Sequence, residues 1–315
     1  MQTVARQRGS DDWAARGASI DTQQLIALRL AARQLRLAQQ HRHFARQSGH
    51  HVAPFKGRGL SFQQLRAYQG GDEIRHIDWR VTARTMQPHT RLFEEERERP
   101  VVLCVDQRRS MAFGSRQCFK SVLACHTAAL LAWNALEHND RVGGFVFSDQ
   151  QHAESRPRRS QRAVLHFLQQ LASFNQQLLT TAAEAAPQTL STVFEELRRI
   201  TRPGSAVFIL SDFHDFDDNA ERQLALLTRH NDVLAIETSD PLEAQLPLRG
   251  HLALSDGRQR LNIDIDSALQ QRYQQHYQQR RDALHSALRK LGIARLSLQT
   301  NDDVQAVLGR ELRLQ

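Results

Sequence analysis

From residue 100 onward, apolar runs and amphipathic stretches alternate along the chain. Val101–Val105 (VVLCV) is a continuous apolar run, as for a strand buried on both faces. Residues 117–138 carry Val122, Leu123, Leu130, Leu131 and Trp133 at helical spacing. RVGGFVF (141–147) predicts the next strand, and the polar, basic QHAESRPR after it a short edge strand. Helices are expected over 161–174 and 192–200, and a second buried strand over SAVFILSD (205–212). A helix over 219–229 and a strand over DVLAIET (232–238) follow. HLALSDG and QRLNIDID form an expected antiparallel pair around Asp256-Gly257. Asp266 is placed to cap a long Gln-rich helix to about Leu291, and ARLSLQT (294–300) closes the chain with a strand. This order predicts an α/β fold with a doubly wound, mostly parallel sheet of Rossmann type over residues 100–315. Ligands of such sheets sit beyond the carboxyl ends of the strands, where the strand order reverses.

The first hundred residues follow other rules. Residues 1–20 are polar and expected to fray. Residues 21–51 read as an N-terminal helical segment. Asp21 or Thr22 caps a helix to about Arg46, whose face Leu25, Leu28, Leu35 and Leu37 packs on the main domain. His41, His43, His50 and His51 have no Cys or carboxylate beside them at ligand spacing, so they predict a solvated helix end and not a metal site. Residues 52–99 are rich in Gly, Arg, Asp and aromatics, with little periodicity beyond one helical turn at SFQQLRAY (61–68). Gly70-Gly71-Asp72 is a turn signal. Asp72, Arg75, Asp78, Arg80 and Arg84 can form a carboxylate–guanidinium network. With no nucleophile or base beside it, that network predicts an irregular clamp packed on the main domain, not a catalytic site.

Composition narrows the function classes. The 315 residues are 40% hydrophobic and 24% charged, enough for a sizeable core. No run approaches the roughly 18 apolar residues of a spanning helix, and the N-terminus lacks an apolar leader. The expected place is the cytoplasm, with peripheral docking to a membrane-bound partner left open. Net charge is +8. The arginines are spread along the chain, however, and the densest run, Arg156–Arg162, has no interleaved aromatics, so nucleic-acid binding is not indicated. Cys104, Cys118 and Cys125 show no metal or disulfide spacing. No GxxxxGK[ST], HExxH or GxSxG string is present.

Two buried strands end in aspartate, Asp106 and Asp212. Ser110 follows Asp106 by four, and Thr189 or Thr192 opens another helix. Carboxylates and hydroxyls around one crevice suit a hard cation such as Mg²⁺ or Mn²⁺. The string from Gly71 to Thr85, Gly-Asp-x-x-Arg-x-Ile-Asp-Trp-x-x-x-Ala-Arg-Thr, is highly specific, with Gly71, Asp72, Arg75, Asp78, Trp79, Arg84 and Thr85 as its marks. With the FEEERERPVVLCVD segment after it, it resembles the bacterial family called domain of unknown function 58, over about residues 55–240. The resemblance implies a von Willebrand factor A-like domain from about residue 100. It also implies partnership with MoxR-type AAA+ ATPases and other A-like proteins, in chaperone-like assembly or maturation of further proteins. Such domains hold a divalent metal with an Asp-x-Ser-x-Ser loop, a later Thr and a later Asp, which here correspond to Asp106, Ser110, Thr189 and Asp212. Arg108 stands where the middle serine belongs. A guanidinium cannot ligate a cation, so Arg108 is the candidate to replace the metal, and Mg²⁺ is expected to bind weakly or not at all. The expected function is a non-enzymatic protein-interaction module. The alternative is a metal-dependent hydrolase or phosphotransfer enzyme.

Overall fold

The computed structural model describes residues 13–35, 60–69, 74–95, 100–180, 187–247, 250–255 and 260–312. The chain divides into two compact units, residues 51–98 and the rest. In chain order the elements are α1 (Thr22–Gln34), β1 (Leu60–Ala67), α2 (Trp79–Thr85), β2 (His89–Glu95), β3 (Pro100–Asp106), α3 (Lys120–Glu137), β4 (Arg141–Phe147) and β5 (His152–Arg158). There follow α4 (Gln161–Thr180), α5 (Leu190–Ile200), β6 (Ala206–Ser211), α6 (Asp218–Thr228), β7 (Asp232–Ser239), α7 (Pro241–Ala244), β8 (Gly250–Ser255), β9 (Arg260–Ile265), α8 (Ser267–Lys290), β10 (Ala294–Gln299) and α9 (Val304–Glu311).

In the larger unit six strands form one sheet in the order β10-β7-β6-β3-β4-β5. Neighbours are parallel except the edge pair β4–β5. Alternation along the strands feeds two cores. Val101, Leu103, Val105, Phe208 and Leu210 join residues of α1, α3 and α4 on one face. Val102, Cys104, Val207 and Ile209 join Phe194, Leu224 and Leu288 of α5, α6 and α8 on the other. Gly144 lets α4 close on β4, since a Cβ there would sit 2.1 Å from the Phe167 ring. Helix α3 is buried on every side from Lys120 to Ala135. A helix apolar all round needs a second cover beside the sheet. That cover is α1, which buries Leu25, Leu28, Ala31 and Ala32. Asp21 and Gln24 form its capping box.

Four expectations change here. Helix α1 stops at Gln34 and not near Arg46. Leu35 is extended, and the Asn134 amide donates to the carbonyls of Ala32 (3.2 Å) and Leu35 (2.8 Å) at that end. The described part of the expected frayed terminus, residues 13–20, is tied down. Gly17 bonds Gln117 and Phe119 through the backbone, the Ile20 N–H donates to Asn175 Oδ1 at 2.9 Å, and His126 Nε2 meets the Trp13 carbonyl at 2.6 Å. Helix α4 runs on to Thr180, six residues beyond the expected end at 174. Helix α9, capped by Asp303, was not expected after the last strand. The four clustered histidines, Leu37 and the Asp256-Gly257 turn lie outside the described residues.

In the smaller unit SFQQLRAY is strand, not helix. Its residues pair antiparallel with β2, from Leu60 opposite Glu95 to Ala67 opposite His89, with an irregularity between Phe62 and Gln64. The partner lies some twenty residues downstream, so local periodicity carries no trace of it. Asp78 caps α2, accepting from the N–H groups of Arg80 (3.1 Å) and Val81 (3.2 Å). Arg75, Trp79 and Arg84 are exposed, and the Thr85 hydroxyl donates to the Val81 carbonyl at 2.9 Å. Gly71 and Asp72 lie outside the described residues.

Candidate functional site

Strand order reverses between β3 and β6: the chain leaves β3 for β4 on one side and β6 for β7 on the other. A crevice opens beyond the carboxyl ends of strands so arranged. Asp106 ends β3, and Asp212 follows the last residue of β6. The sheet pairs Val105 with Leu210, so both carboxylates arrive at the reversal together.

Each carboxylate meets a fixed cation of the same chain. The Arg108 fork closes on Asp106: Nε lies 3.1 and 3.2 Å from the two carboxylate oxygens, and Nη2 lies 2.8 Å from Oδ2. The Arg108 backbone N–H and the Ser211 hydroxyl complete the shell of Asp106, at 2.9 and 2.7 Å. The other arm of Arg108 donates to Asp215 Oδ1 (2.8 Å) and the Gln188 carbonyl (3.0 Å), and the guanidinium lies over the Phe147 ring. Arg108 is 4% exposed and Asp106 fully buried. Burial raises the Asp106 carboxyl above the ordinary carboxylate range, against the pull of Arg108. Burial opposes the charge on Arg108, but Asp106 and Asp215 raise its pKa further still.

Asp212 is held by Lys120, the first residue of α3, whose Nζ lies 2.8 Å from Asp212 Oδ2 and 2.6 Å from Glu243 Oε1. Lys120 is 2% exposed. Burial disfavours its charge, but the two carboxylates outweigh burial and raise its pKa. Burial likewise opposes the charge on Asp212, and Lys120 brings its pKa below the ordinary value. Glu243 is positioned by the capping box of α7, where its Oε2 accepts from the Asp240 N–H at 3.1 Å. Asp240 in turn holds the loop before α3 through the Ser115 N–H and hydroxyl, at 2.8 and 2.6 Å.

The sequence singled out Asp106, Arg108, Ser110, Thr189 and Asp212. The structure brings Asp106, Arg108 and Asp212 together at the strand-order reversal, and of the three Asp212 lines a crevice. The Ser110 hydroxyl is buried near this loop without a hydrogen-bond partner. Thr189 caps α5, accepting from the Thr192 N–H at 3.4 Å, and its hydroxyl is hydrogen-bonded to that of Ser191 at 2.8 Å. Lys120, Asp215 and Glu243 were missed as site residues. Lys120 carried a visible signal, being one of only three lysines in a chain with 42 basic residues. Asp215 and Glu243 carried none, because loop carboxylates are common. The three cysteines are free and buried, with Cys118 pushed up to about 12 by burial first and Asp240 second. A thiol so shifted is no nucleophile at neutral pH.

The divalent metal implied by the resemblance does not fit these residues. Both oxygens of Asp106 already face the Arg108 fork, one oxygen of Asp212 faces Lys120, and Thr189 turns its hydroxyl to its own helix. Two internal cations occupy the electrostatic role an ion would have.

A model of the family described as protein of unknown function DUF58 matches residues 64–283. The chain belongs to the DUF58 family. It is similar to uncharacterized proteins of Mycobacterium bovis and Mycobacterium tuberculosis, at 32% identity over 259 residues, covering 81% of this chain and 79% of each relative. The matched span of this DUF58 chain takes in the smaller unit from residue 64, both strand-end aspartates and most of α8. Among solved structures, proximal thread matrix protein 1 of the mussel byssus aligns at a TM-score of 0.30 and 11% identity, over 45% of this chain and 37% of that one. That likeness is too slight to carry an argument. No helix of the described residues is long and apolar enough to cross a membrane.

Proposed function

We propose that this DUF58 chain is a non-enzymatic protein-interaction module, its larger unit a von Willebrand factor A-like domain. It works with a MoxR-type AAA+ ATPase in the assembly or maturation of other proteins. The observation that supports this most is the neutralisation of both strand-end carboxylates, Asp106 by Arg108 and Asp212 by Lys120. Carboxylates consumed by internal ion pairs neither ligate a catalytic metal nor act as general bases. What they do is fix the rim of the crevice rigidly, which suits recognition. The sheet order, reversed between the two aspartate-bearing strands, also supports an A-like domain.

Two measurements test the reading. The full chain, immobilised and exposed to extract of its own cells, should retain an AAA+ ATPase of the MoxR type. Calorimetric titration of the free chain with Mg²⁺ or Mn²⁺ should show no binding below about a millimolar. Tight ion binding, or Mg²⁺-dependent hydrolysis of a generic phosphoester by the purified chain, overturns the module in favour of an enzyme.

A further inference from the structure

Beyond the carboxyl ends of β6 and β7 a crevice lies between the His214 loop and helix α8, with Lys120 and Asp212 in its lining. Nearly every cation there is matched. Lys120 has Asp212 and Glu243. Arg281 lies 3.2 Å from Glu237, which also meets His285 and Arg295 at 3.0 and 2.9 Å. Arg280 is the exception. Among the described residues its guanidinium meets no carboxylate. Its Nη1 donates to Nδ1 of His214 at 2.8 Å, and its plane lies 5.9 Å from the centre of the Tyr277 ring.

These contacts have a chemical consequence. A guanidinium has no acceptor to offer, so His214 Nδ1 must accept and the ring proton must sit on Nε2. A bond to an imidazole nitrogen supplies no negative charge, so it leaves the charge of Arg280 unmatched. The ring of Tyr277 and the bond to His214 hold the guanidinium in place, so little ordering remains to be done on binding. Arg280 is half-buried and His214 exposed, which places the pair at the lip of the crevice.

We infer that Arg280, backed by His214 and Tyr277, is a docking point for the carboxylate of an Asp or Glu side chain on a protein partner. The inference rests on the module reading and names the chemistry that the module recognises. A planar carboxylate matches the free edge of a guanidinium with two parallel hydrogen bonds. A phosphate fits less well. Lys120 and Arg281 offset two of the three carboxylates Asp212, Glu237 and Glu243 in the same crevice, so Arg280 matches one docked carboxylate better than a dianion. The charge that an external metal could present to an acidic partner is presented here by an arginine of α8.

The test titrates the isotopically labelled full chain with a blocked tetraglutamate peptide and follows the Arg280 Nε–H resonance and the affinity. Saturable binding that moves this resonance is expected. Arg280→Gln should weaken it by about tenfold or more, and Arg280→Lys, which keeps the charge, by about threefold. Arg272→Gln, exposed on the same helix outside the crevice, should bind as the wild type does. Tetraglutamine should not bind. An unmoved Arg280 resonance, equal binding by Arg280→Gln, or tighter binding of inorganic phosphate than of the peptide at Arg280 overturns the inference. If the ATPase is retained but the peptide does not bind at Arg280, the docking point falls and the module stands. Peptide binding at Arg280 without any retained ATPase keeps the docking point and removes that partner.

Discussion

Lys120 holds two carboxylates with one ammonium in a place that water barely reaches. Replacing it by methionine keeps the stem and removes the charge, leaving Asp212 buried without a counter-ion. Lys120→Met should cost about 3 kcal/mol or more in urea denaturation. Adding Asp212→Asn should recover part of that loss, because the uncompensated charge is then gone. Additive losses in the double variant would show that packing, not charge, made Lys120 important. Arg108 makes a related point about legibility. Its presence in place of a ligating serine could be read from the sequence. That one fork would span both oxygens of Asp106 and still reach Asp215 with its other arm could not, since residues 106 and 215 are joined only by the sheet.

At the scale of elements, His126 is one of the polar groups that hold the N-terminal strap. His126 donates through Nε2 to the Trp13 carbonyl, while its Nδ1 is buried without a partner. Burial lowers its pKa from the ordinary value, with the Trp13 carbonyl and the charge of Asp303 opposing in part. The unfolded chain therefore takes up this proton first. The contribution is fully present above about pH 6.5 and is lost as the pH falls through the folded value. Protection of the amides of residues 13–20, corrected for the intrinsic exchange rate, should fall as the pH drops below about 6.5, and His126→Gln, whose amide can donate to the same carbonyl, should flatten that response. Equal pH dependence in both proteins would place the titrating group elsewhere. In the smaller unit, Asp78→Ala removes the cap of α2 and should cost about 1 kcal/mol, read by thermal melting. A loss nearer 3 kcal/mol would show that Asp78 also serves as the ion-pair partner that the sequence suggested.

On the scale of the whole molecule, α1 is a cover for α3 and part of the main core. Two of its leucines, Leu25 and Leu28, and the capping Leu35 are buried, at roughly 1.5–3 kcal/mol each. Deleting residues 1–35 should lower the melting temperature by on the order of 10 °C or make the chain aggregate. An unchanged transition in calorimetry would show that α3 finds another cover. The alternation of apolar runs and amphipathic helices by itself determined the α/β class, nearly all elements of the larger unit and the two strand-end aspartates. Burial on one or both faces imposes a period that any window of the chain displays. Tertiary structure alone decided the hairpin at SFQQLRAY, the end of α1 at Gln34 and the pairing of Asp212 with Lys120. Each depends on a partner distant in the chain, a strand some twenty residues on, an asparagine of α3, or a lysine 92 positions away. Local periodicity records which face of a segment is buried, and the identity of what buries it is set only when the sheet assembles.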